Sequence, residues 1–258
     1  MQDNTFSLSG KTIVVTGAAQ GIGRAIATMV VAMGGRTMAV DLNADALAPL
    51  RSELGAAHCA TLAGSGADPA LAQRAVDVAV DAFGQVDGLV NNAGVTRTAM
   101  IDKMSIEAWQ QVIDVHLSGS FYFLQAVGQH LLQRAKGGEK IAGSIVNISS
   151  DAGRRGTIGQ INYGAAKAGV LGLTMCAARE WAKWNIRVNT VGFGVVETPM
   201  TETIRGEKFA DTYLSQIPLG RWGDTAEVSR PVCFLLSDAS SYVTGQHLSA
   251  NGGYTIGL

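Results

Sequence analysis

The stretch TIVVTGAAQGIGRAIA, residues 12–27, contains three patterns in succession. Residues 12–16 are β-branched throughout, which is typical of a strand. Three glycines follow, Gly17, Gly21 and Gly23, and they allow the backbone to turn tightly. Alanine and isoleucine then recur at helical spacing. The stretch therefore predicts a strand that passes through a glycine-rich turn directly into a helix.

The rest of the chain repeats this alternation of short apolar strands and helices. We expect strands at 12–17, 36–41, 58–62, 87–92, 144–150, 186–192 and 247–250, and helices at 22–33, 69–83, 105–134, 160–183 and 224–236. Strands that are apolar on both faces and separated by helices indicate a parallel sheet covered on both sides. The sequence thus predicts an α/β protein with a doubly wound parallel sheet of about seven strands and helices on both faces.

No linker, tandem repeat or second composition regime divides the chain, so residues 1–258 are predicted to form one domain. Residues 134–143, which carry three glycines, are the expected exposed loop. An irregular stretch at about 194–222 is too long for a routine connection between two elements. We interpret it as a lid.

The composition argues against several classes of function. The net charge is −1 and both signs are mixed along the chain, which argues against a nucleic-acid partner or an acidic membrane surface. No signal core and no 18-residue apolar run is present, so we expect a cytoplasmic protein with no membrane association. Apolar residues are 47% of the chain and charged residues only 16%, which suggests further surface buried between subunits.

The cysteines and histidines predict no metal site. Cys59, Cys176 and Cys233 are widely spaced in apolar surroundings, which predicts buried thiols in a reducing compartment. The sequence holds no Cys-x-x-Cys and no His-x-x-x-His pair, so a zinc site is not expected.

The glycine-rich turn has the chemistry of a phosphate-binding loop. Gly17, Gly21 and Gly23 let the backbone approach a pyrophosphate, whose negative charge is favoured at the N-terminus of the following helix. Gln20 and Ile22 complete the turn. The alternative is an ordinary tight turn. Because the pattern follows the first strand of an alternating α/β chain, it favours a single-domain Rossmann fold that binds a dinucleotide.

Asp41 ends the second predicted strand, eighteen residues after Gly23. A carboxylate there can accept hydrogen bonds from both hydroxyls of an adenosine ribose, whereas a 2′-phosphate would be repelled. At ~4 Å and an effective dielectric near 20, each like-charge pair costs about 4 kcal/mol. Neither Leu42 nor Asn43 offers a compensating cation, so NAD is favoured over NADP. The alternative role for Asp41 is the N-cap of a helix at 43–54.

A second constellation has the chemistry of proton transfer. Tyr163 and Lys167 are four residues apart and share one helix face. A phenol has a reference pKa near ~10, and an adjacent ammonium lowers it by ~1–3 units. Ser150, thirteen residues before Tyr163 at a strand end, could donate to the same substrate oxygen. Together with the nucleotide loop, these residues favour catalysis over a solvated surface pair.

At this point the sequence resembles the short-chain dehydrogenase/reductase family over nearly its whole length. The matching elements are TGAAQGIG (16–23), NNAG (91–94), Ser150, YGAAK (163–167), IRVNTV (186–191), ETPM (197–200) and SDASSYVTGQ (237–246). Within the family it is most similar to the 3-oxoacyl-acyl-carrier-protein reductase branch, through NNAGVTR, GQINYGAAKAGV and PLGRWG. Those shorter signatures are shared with other dehydrogenases.

The resemblance implies an NAD(P)-dependent oxidoreductase that transfers a hydride between nicotinamide and a secondary alcohol or ketone. The implied substrate is a small-to-medium ketone such as a 3-oxoacyl thioester. Alternatives are a polyol, diketone or aryl-ketone dehydrogenase, and a non-catalytic NAD-binding sensor. Family members pair the helices at 105–134 and 160–183 across a two-fold axis, so a homotetramer is expected.

The resemblance also implies roles for individual residues. Tyr163 would be the general acid in reduction and the base in oxidation, Lys167 would bind the nicotinamide ribose, and Ser150 would hold the substrate oxygen. The residues implied to contact the cofactor are Gly17, Gln20, Gly21, Ile22, Gly23, Asp41, Asn91, Ala93, Gly94, Tyr163, Lys167, Val196 and Thr198.

The clearest departure from the family is His116, in IDVHLSGSF (113–121), where an asparagine is usual. It could be a metal ligand, a direct acid or base, or a replacement whose backbone carbonyl keeps the role of the asparagine. We favour the third role, in which a distorted helix lets that carbonyl hold a water leading to Lys167. Other departures are Phe193 for a proline, and Ser65 and Asn251 for aspartates.

Overall fold

A computed structural model describes residues 4–257 and contains one seven-stranded sheet with all neighbouring strands parallel. The strands are β1 Thr12–Thr16, β2 Arg36–Asp41, β3 Cys59–Ala63, β4 Gly88–Asn91, β5 Gly143–Ser150, β6 Ile186–Phe193 and β7 His247–Ala250. Their order across the sheet is β3-β2-β1-β4-β5-β6-β7. The doubly wound Rossmann fold predicted from the sequence is confirmed.

Helices cover both faces of this sheet. They are α1 Gly21–Ala32, α2 Ala44–Leu54, α3 Pro69–Phe83, α4 Ile106–Ile113, α5 Gly119–Lys136, α6 Ala152–Arg155, α7 Ile161–Trp181, α8 Glu202–Arg205, α9 Ala210–Leu214 and α10 Thr225–Leu236. Side chains alternate along β1, so Ile13 and Val15 pack with α1, α2 and α10, while Val14 packs with α3, α5 and α7. Two apolar cores therefore form, one on each face.

The long helix predicted at 105–134 is interrupted. A π-helical segment, Asp114–Ser118, separates α4 from α5 and contains His116. Single π-turns of this kind often mark functional sites. The helix distortion expected at His116 is thus confirmed.

One prediction about the cysteines is wrong. Cys59 and Cys233 are buried, but Cys176 is exposed, since it lies on the outward face of α7. Burial raises the pKa of the Cys59 thiol to about 11 and that of Cys233 to about 12. The two buried thiols are therefore protonated and unreactive at neutral pH.

The stretch at 194–222 is not a structureless loop. It contains the two short helices α8 and α9, and Val196 near its start forms an isolated bridge with Gly223, just beyond its end. Within residues 4–257, no helix is both long enough and apolar enough to cross a membrane. The same residues include no group of three or more His, Cys, Asp or Glu side chains suited to hold a metal ion.

Candidate active site

A cleft of about 470 Å³ lies where the strand order reverses, beyond the carboxyl ends of β1 and β4. Ligands of open α/β sheets bind at this switch point, because the connections leave the sheet in opposite directions there. Fourteen of the fifteen residues expected at the site line the cleft. They are Gly17, Gln20, Gly21, Ile22, Gly23, Asp41, Ala93, Gly94, His116, Ser150, Tyr163, Lys167, Val196 and Thr198.

The glycine-rich turn is packed too tightly for side chains. A Cβ atom on Gly23 would lie 2.0 Å from the carbonyl oxygen of Gly17, and Gly17 itself has a φ of +67°. The turn therefore brings bare backbone against the start of α1. Such a cradle of amide groups at a helix N-terminus fits a pyrophosphate.

Asp41, the last residue of β2, lies beside this turn. Its Oδ2 accepts from the backbone amide of Ala19 at 2.9 Å, and its Oδ1 accepts from that of Asn43 at 3.0 Å. The N-cap of α2 is Asn43, whose side chain accepts from the amide of Ala46. The alternative role of Asp41 as a helix N-cap is therefore wrong. Its carboxylate is a fixed part of the cleft wall.

Asn91 is the one expected site residue that does not line the cleft. Its amide nitrogen donates to Asn147 Oδ1 at 2.8 Å and to the Ser120 carbonyl at 3.0 Å, inside the core. The next residue, Asn92, lines the cleft and donates to the carbonyls of Thr16 and Gly17. Successive residues leave a strand in opposite directions, so only one of the two can face the nucleotide turn.

Tyr163 and Lys167 lie on one face of α7, beside Ser150 at the end of β5. The Lys167 side chain is buried and its ammonium donates to the Ile148 carbonyl at 2.6 Å. Its Nζ is 5.7 Å from the centre of the Tyr163 ring. Burial lowers the pKa of Lys167 to about 7. The expectation that Lys167 lowers the pKa of Tyr163 is wrong for the cofactor-free protein: burial raises that pKa, and the Ser150 side chain offsets part of the rise.

His116 is buried, and its ring meets the ring of Tyr163 edge to face, with centroids 5.0 Å apart. Nε2 lies 2.8 Å from the carbonyl oxygen of Val95 and 3.0 Å from its amide nitrogen. A Cβ atom on Gly94 would be 2.3 Å from the imidazole, so a glycine is required there. The ring thus fills the space between the Gly94–Val95 backbone and the candidate proton donor.

The imidazole is neutral at ordinary pH. Burial, aided by the nearby charge of Lys167, lowers the pKa of His116 to about 3. Its Nδ1 has no hydrogen-bond partner among the described residues. The backbone carbonyl of His116 accepts from the Ser120 hydroxyl at 2.6 Å. That carbonyl, which lies in the π-helical segment, therefore has a side-chain partner within the protein.

Sequence analysis missed part of the cleft wall. The additional lining residues include Thr16, Val40, Gly64, Gly66, Asn92, Val95, Val115, Ile148, Ser149, Gly194, Pro199 and Thr201. Most of these residues follow the end of a strand or lie next to a motif. That position along the chain is the only feature of the sequence that could have indicated them. Phe193 and Met200 add apolar surface to the cleft wall, and Phe193 pairs with Ser150 across β5 and β6.

Comparison with known proteins agrees with this architecture. A family model described as enoyl-(acyl carrier protein) reductase matches residues 17–255. A 3-oxoacyl-[acyl-carrier-protein] reductase from Thermotoga maritima is 42% identical over 253 residues, which cover 96% of this chain and 99% of that protein. The D-threitol dehydrogenase of Mycolicibacterium smegmatis is 39% identical, with 98% of this chain and 96% of that protein covered.

Solved structures agree as well. A short-chain dehydrogenase/reductase of the glucose/ribitol dehydrogenase type from Brucella melitensis superposes with a TM-score of 0.91 at 33% identity, covering 98% and 99% of the two chains. A structure from Agrobacterium tumefaciens with bound NADP has a TM-score of 0.88 at 36% identity, covering the same shares. The chain belongs to the short-chain dehydrogenase/reductase family. It is an oxidoreductase that acts on CH–OH or keto groups with a nicotinamide cofactor.

Proposed function

We propose that this protein transfers a hydride between the nicotinamide of NAD and a secondary alcohol or ketone. The observation that carries the proposal is the layout of one cleft, with Asp41 at one end and Ser150, Tyr163 and Lys167 at the other. The cradle formed by Gly17 and Gly23 between them fits the pyrophosphate of a dinucleotide. When bound, the cofactor supplies the hydride chemistry, and the protein supplies position and electrostatics.

Tyr163 would exchange the proton with the substrate oxygen, since a phenol is far more acidic than the hydroxyl of the neighbouring Ser150. Its burial favours the neutral phenol, which is the form needed to donate a proton to a ketone. The Lys167 ammonium would favour the phenolate that remains, and its buried position keeps that interaction unscreened. Ser150 would hold the same substrate oxygen from the other side.

The choice of NAD over NADP is supported by the surroundings of Asp41. Its carboxylate is held by two backbone amides and faces the cleft. Among the described residues that line the cleft, Lys167 is the sole cation, and it belongs to the catalytic end. A 2′-phosphate would therefore meet a fixed negative charge with no arginine or lysine to offset it.

The substrate we propose is a small-to-medium ketone such as a 3-oxoacyl thioester. Val95, Val115, Phe193 and Met200 give the cleft an apolar wall that suits an alkyl chain. The relative from Thermotoga maritima is named for this reaction. Residues 194–222 would act as the lid, because Met200 both lines the cleft and is 49% exposed.

A polyol is the second candidate, favoured by the similarity to the D-threitol dehydrogenase. A turnover screen separates the two. Both cofactors are tested against 3-oxoacyl thioesters, small diketones, polyols and aryl ketones. We expect the highest kcat/KM for a 3-oxoacyl thioester with NADH. A higher kcat/KM for a polyol would favour the second candidate substrate instead. Binding of NAD without any turnover would indicate a non-catalytic sensor.

A further inference from the structure

The segment that follows the last strand, residues 251–257, is called the C-terminal turn below. This turn is hydrogen-bonded to Asp151, the residue that follows Ser150. Asp151 is only 3% exposed, and its two carboxylate oxygens accept from the Asn251 amide at 3.0 and 2.9 Å. The backbone amide of Asp151 donates to the carbonyl of Phe193, which lines the cleft. The buried carboxylate thus joins the serine-bearing strand to the C-terminal turn.

Arg155, one helical turn further on, contacts the C-terminal turn and the lid at the same time. Its Nη1 donates to the Tyr254 carbonyl at 3.2 Å, and its guanidinium lies 4.1 Å from the centre of the Tyr254 ring. Its Nη2 donates to Gln216 Oε1 in the lid at 3.2 Å. The Tyr254 ring in turn stacks on Tyr213 of α9, with centroids 6.3 Å apart.

Backbone contacts reinforce this link. The amide of Leu219, near the end of the lid, donates to the Gly252 carbonyl at 3.1 Å. The neighbouring arginine provides a contrast. Arg154 donates to the Gly257 carbonyl and to Ser249 Oγ, so its hydrogen bonds reach the C-terminal turn and β7 but not the lid. Of the two arginines, Arg155 is the one that ties the lid to the helix after Ser150.

We propose that Asp151, Arg155 and Tyr254 form a strut that fixes the lid relative to Ser150, and that Arg155 is thereby a positioning residue for the substrate. The proposal rests on the proposed function, in which residues 194–222 close over a ketone or alcohol. A preformed wall lowers the ordering cost of substrate binding. Without the strut, fewer molecules hold the lid in the binding-competent position, and apparent affinity falls by that fraction.

The effect is specific to the substrate. The strut reaches the lid through Tyr213, Gln216 and Leu219, in its second half. The lid residues expected at the cofactor, Val196 and Thr198, lie in its first half, and Asp41 and the glycine-rich turn lie outside the lid. Loss of the strut should therefore raise KM for the substrate and leave NAD affinity unchanged. Arginine is required, because its planar fork donates in two directions while stacking on a ring, which a lysine cannot do.

The test compares Arg155→Met and Arg155→Lys with Arg154→Met as the matched control and Tyr254→Phe as a conservative variant that keeps the ring. Trypsin cleavage after Lys208, an exposed residue of the lid, reports lid mobility and is followed by mass spectrometry. KM, kcat and the NAD dissociation constant are measured on the same preparations. For both Arg155 variants we expect cleavage and KM to increase about three- to tenfold, as a partly exposed cation–π contact and a hydrogen bond would allow.

For the same variants, kcat and NAD affinity should stay within about twofold, since the reacting groups and the cofactor end are untouched. Tyr254→Phe and Arg154→Met should match the parent. The proposal is overturned if cleavage and KM do not change in the Arg155 variants. It is also overturned if NAD affinity falls with them, because the effect is then global. Absence of turnover in the parent protein would refute the proposed function instead, and the cleavage assay would still decide the strut.

Discussion

We predict that removing the Asp41 carboxylate weakens the preference for NAD. Both of its oxygens are held by backbone amides, at 2.9 and 3.0 Å, so the side chain cannot simply turn away from a 2′-phosphate. At ~4 Å and an effective dielectric near 20, the repulsion is about 4 kcal/mol per charge pair. Asp41 is partly exposed, and screening by water and salt lowers this to about 1.4–2.8 kcal/mol. That range corresponds to about a ten- to hundredfold preference.

The assay measures kcat/KM with NAD(H) and with NADP(H) over the same series of ketone concentrations. In the parent, kcat/KM with NAD(H) should be at least about tenfold higher than with NADP(H). Asp41→Ala should bring these two values closer together. Adding Leu42→Arg, at a side chain that is 74% exposed beside the cleft, should narrow it further by supplying a cation. Asp45→Ala is the control, because it removes a carboxylate in the first turn of α2 that does not line the cleft. Equal or better use of NADPH by the parent refutes the electrostatic reasoning.

Four further outcomes are expected. Tyr163→Phe should leave NAD binding nearly intact and lower kcat by about 10²–10⁴-fold, and a variant within fivefold of the parent would exclude the phenol as the acid. The free energy of unfolding of the cofactor-free protein should rise between pH 7 and about pH 9. The reason is that Lys167 has a pKa of about 7 in the folded protein and keeps its proton to higher pH in the unfolded chain. Urea melts measure this rise, and Lys167→Met should flatten it. Light scattering should give four times the mass of the chain, since Phe121 and Met175 expose apolar surface on α5 and α7, and a stable monomer at micromolar concentration would contradict this. His116→Asn should retain at least about a third of kcat, as a backbone carbonyl is available from any residue.

The fold could be predicted closely because its determinants are local. Every predicted strand and helix end lies within two residues of the observed one, apart from the interruption at Asp114–Ser118. The β-branched runs and the helical spacing of apolar residues are repeated along the chain, and a parallel sheet is the arrangement that satisfies both. The exposure of Cys176 was not predictable in the same way. It depends on which face of α7 packs against the sheet, and the small residues of that helix give little indication of direction.

Site residues could be predicted where a sequence motif determines the backbone conformation. They could not be predicted where the tertiary structure determines which way a side chain points. Asn91 and Asn92 are adjacent and chemically identical, and only the pairing of β4 with β5 decides which one faces the cleft. The strut was not predictable at all from local pattern. Asp151 and Asn251 are a hundred residues apart, and their contact exists only because β6 and β7 bring the C-terminal turn beside Ser150.

His116 is the residue for which the sequence leaves three roles open, and several structural observations bear on the choice between them. A direct acid or base must titrate near the working pH, but burial lowers the pKa of this imidazole to about 3. A metal ion needs several ligands, and residues 4–257 include no group of three or more His, Cys, Asp or Glu side chains suited to hold one. These observations support the role in which His116 acts through its backbone and its shape, since its ring packs on Tyr163 and its carbonyl accepts from the Ser120 hydroxyl. If His116→Asn abolished turnover while the fold and NAD affinity survived, the imidazole itself would be required for catalysis. If turnover survives, the residue acts through its backbone and its shape, and Gly94, whose missing side chain makes room for the ring, becomes the second half of the same feature.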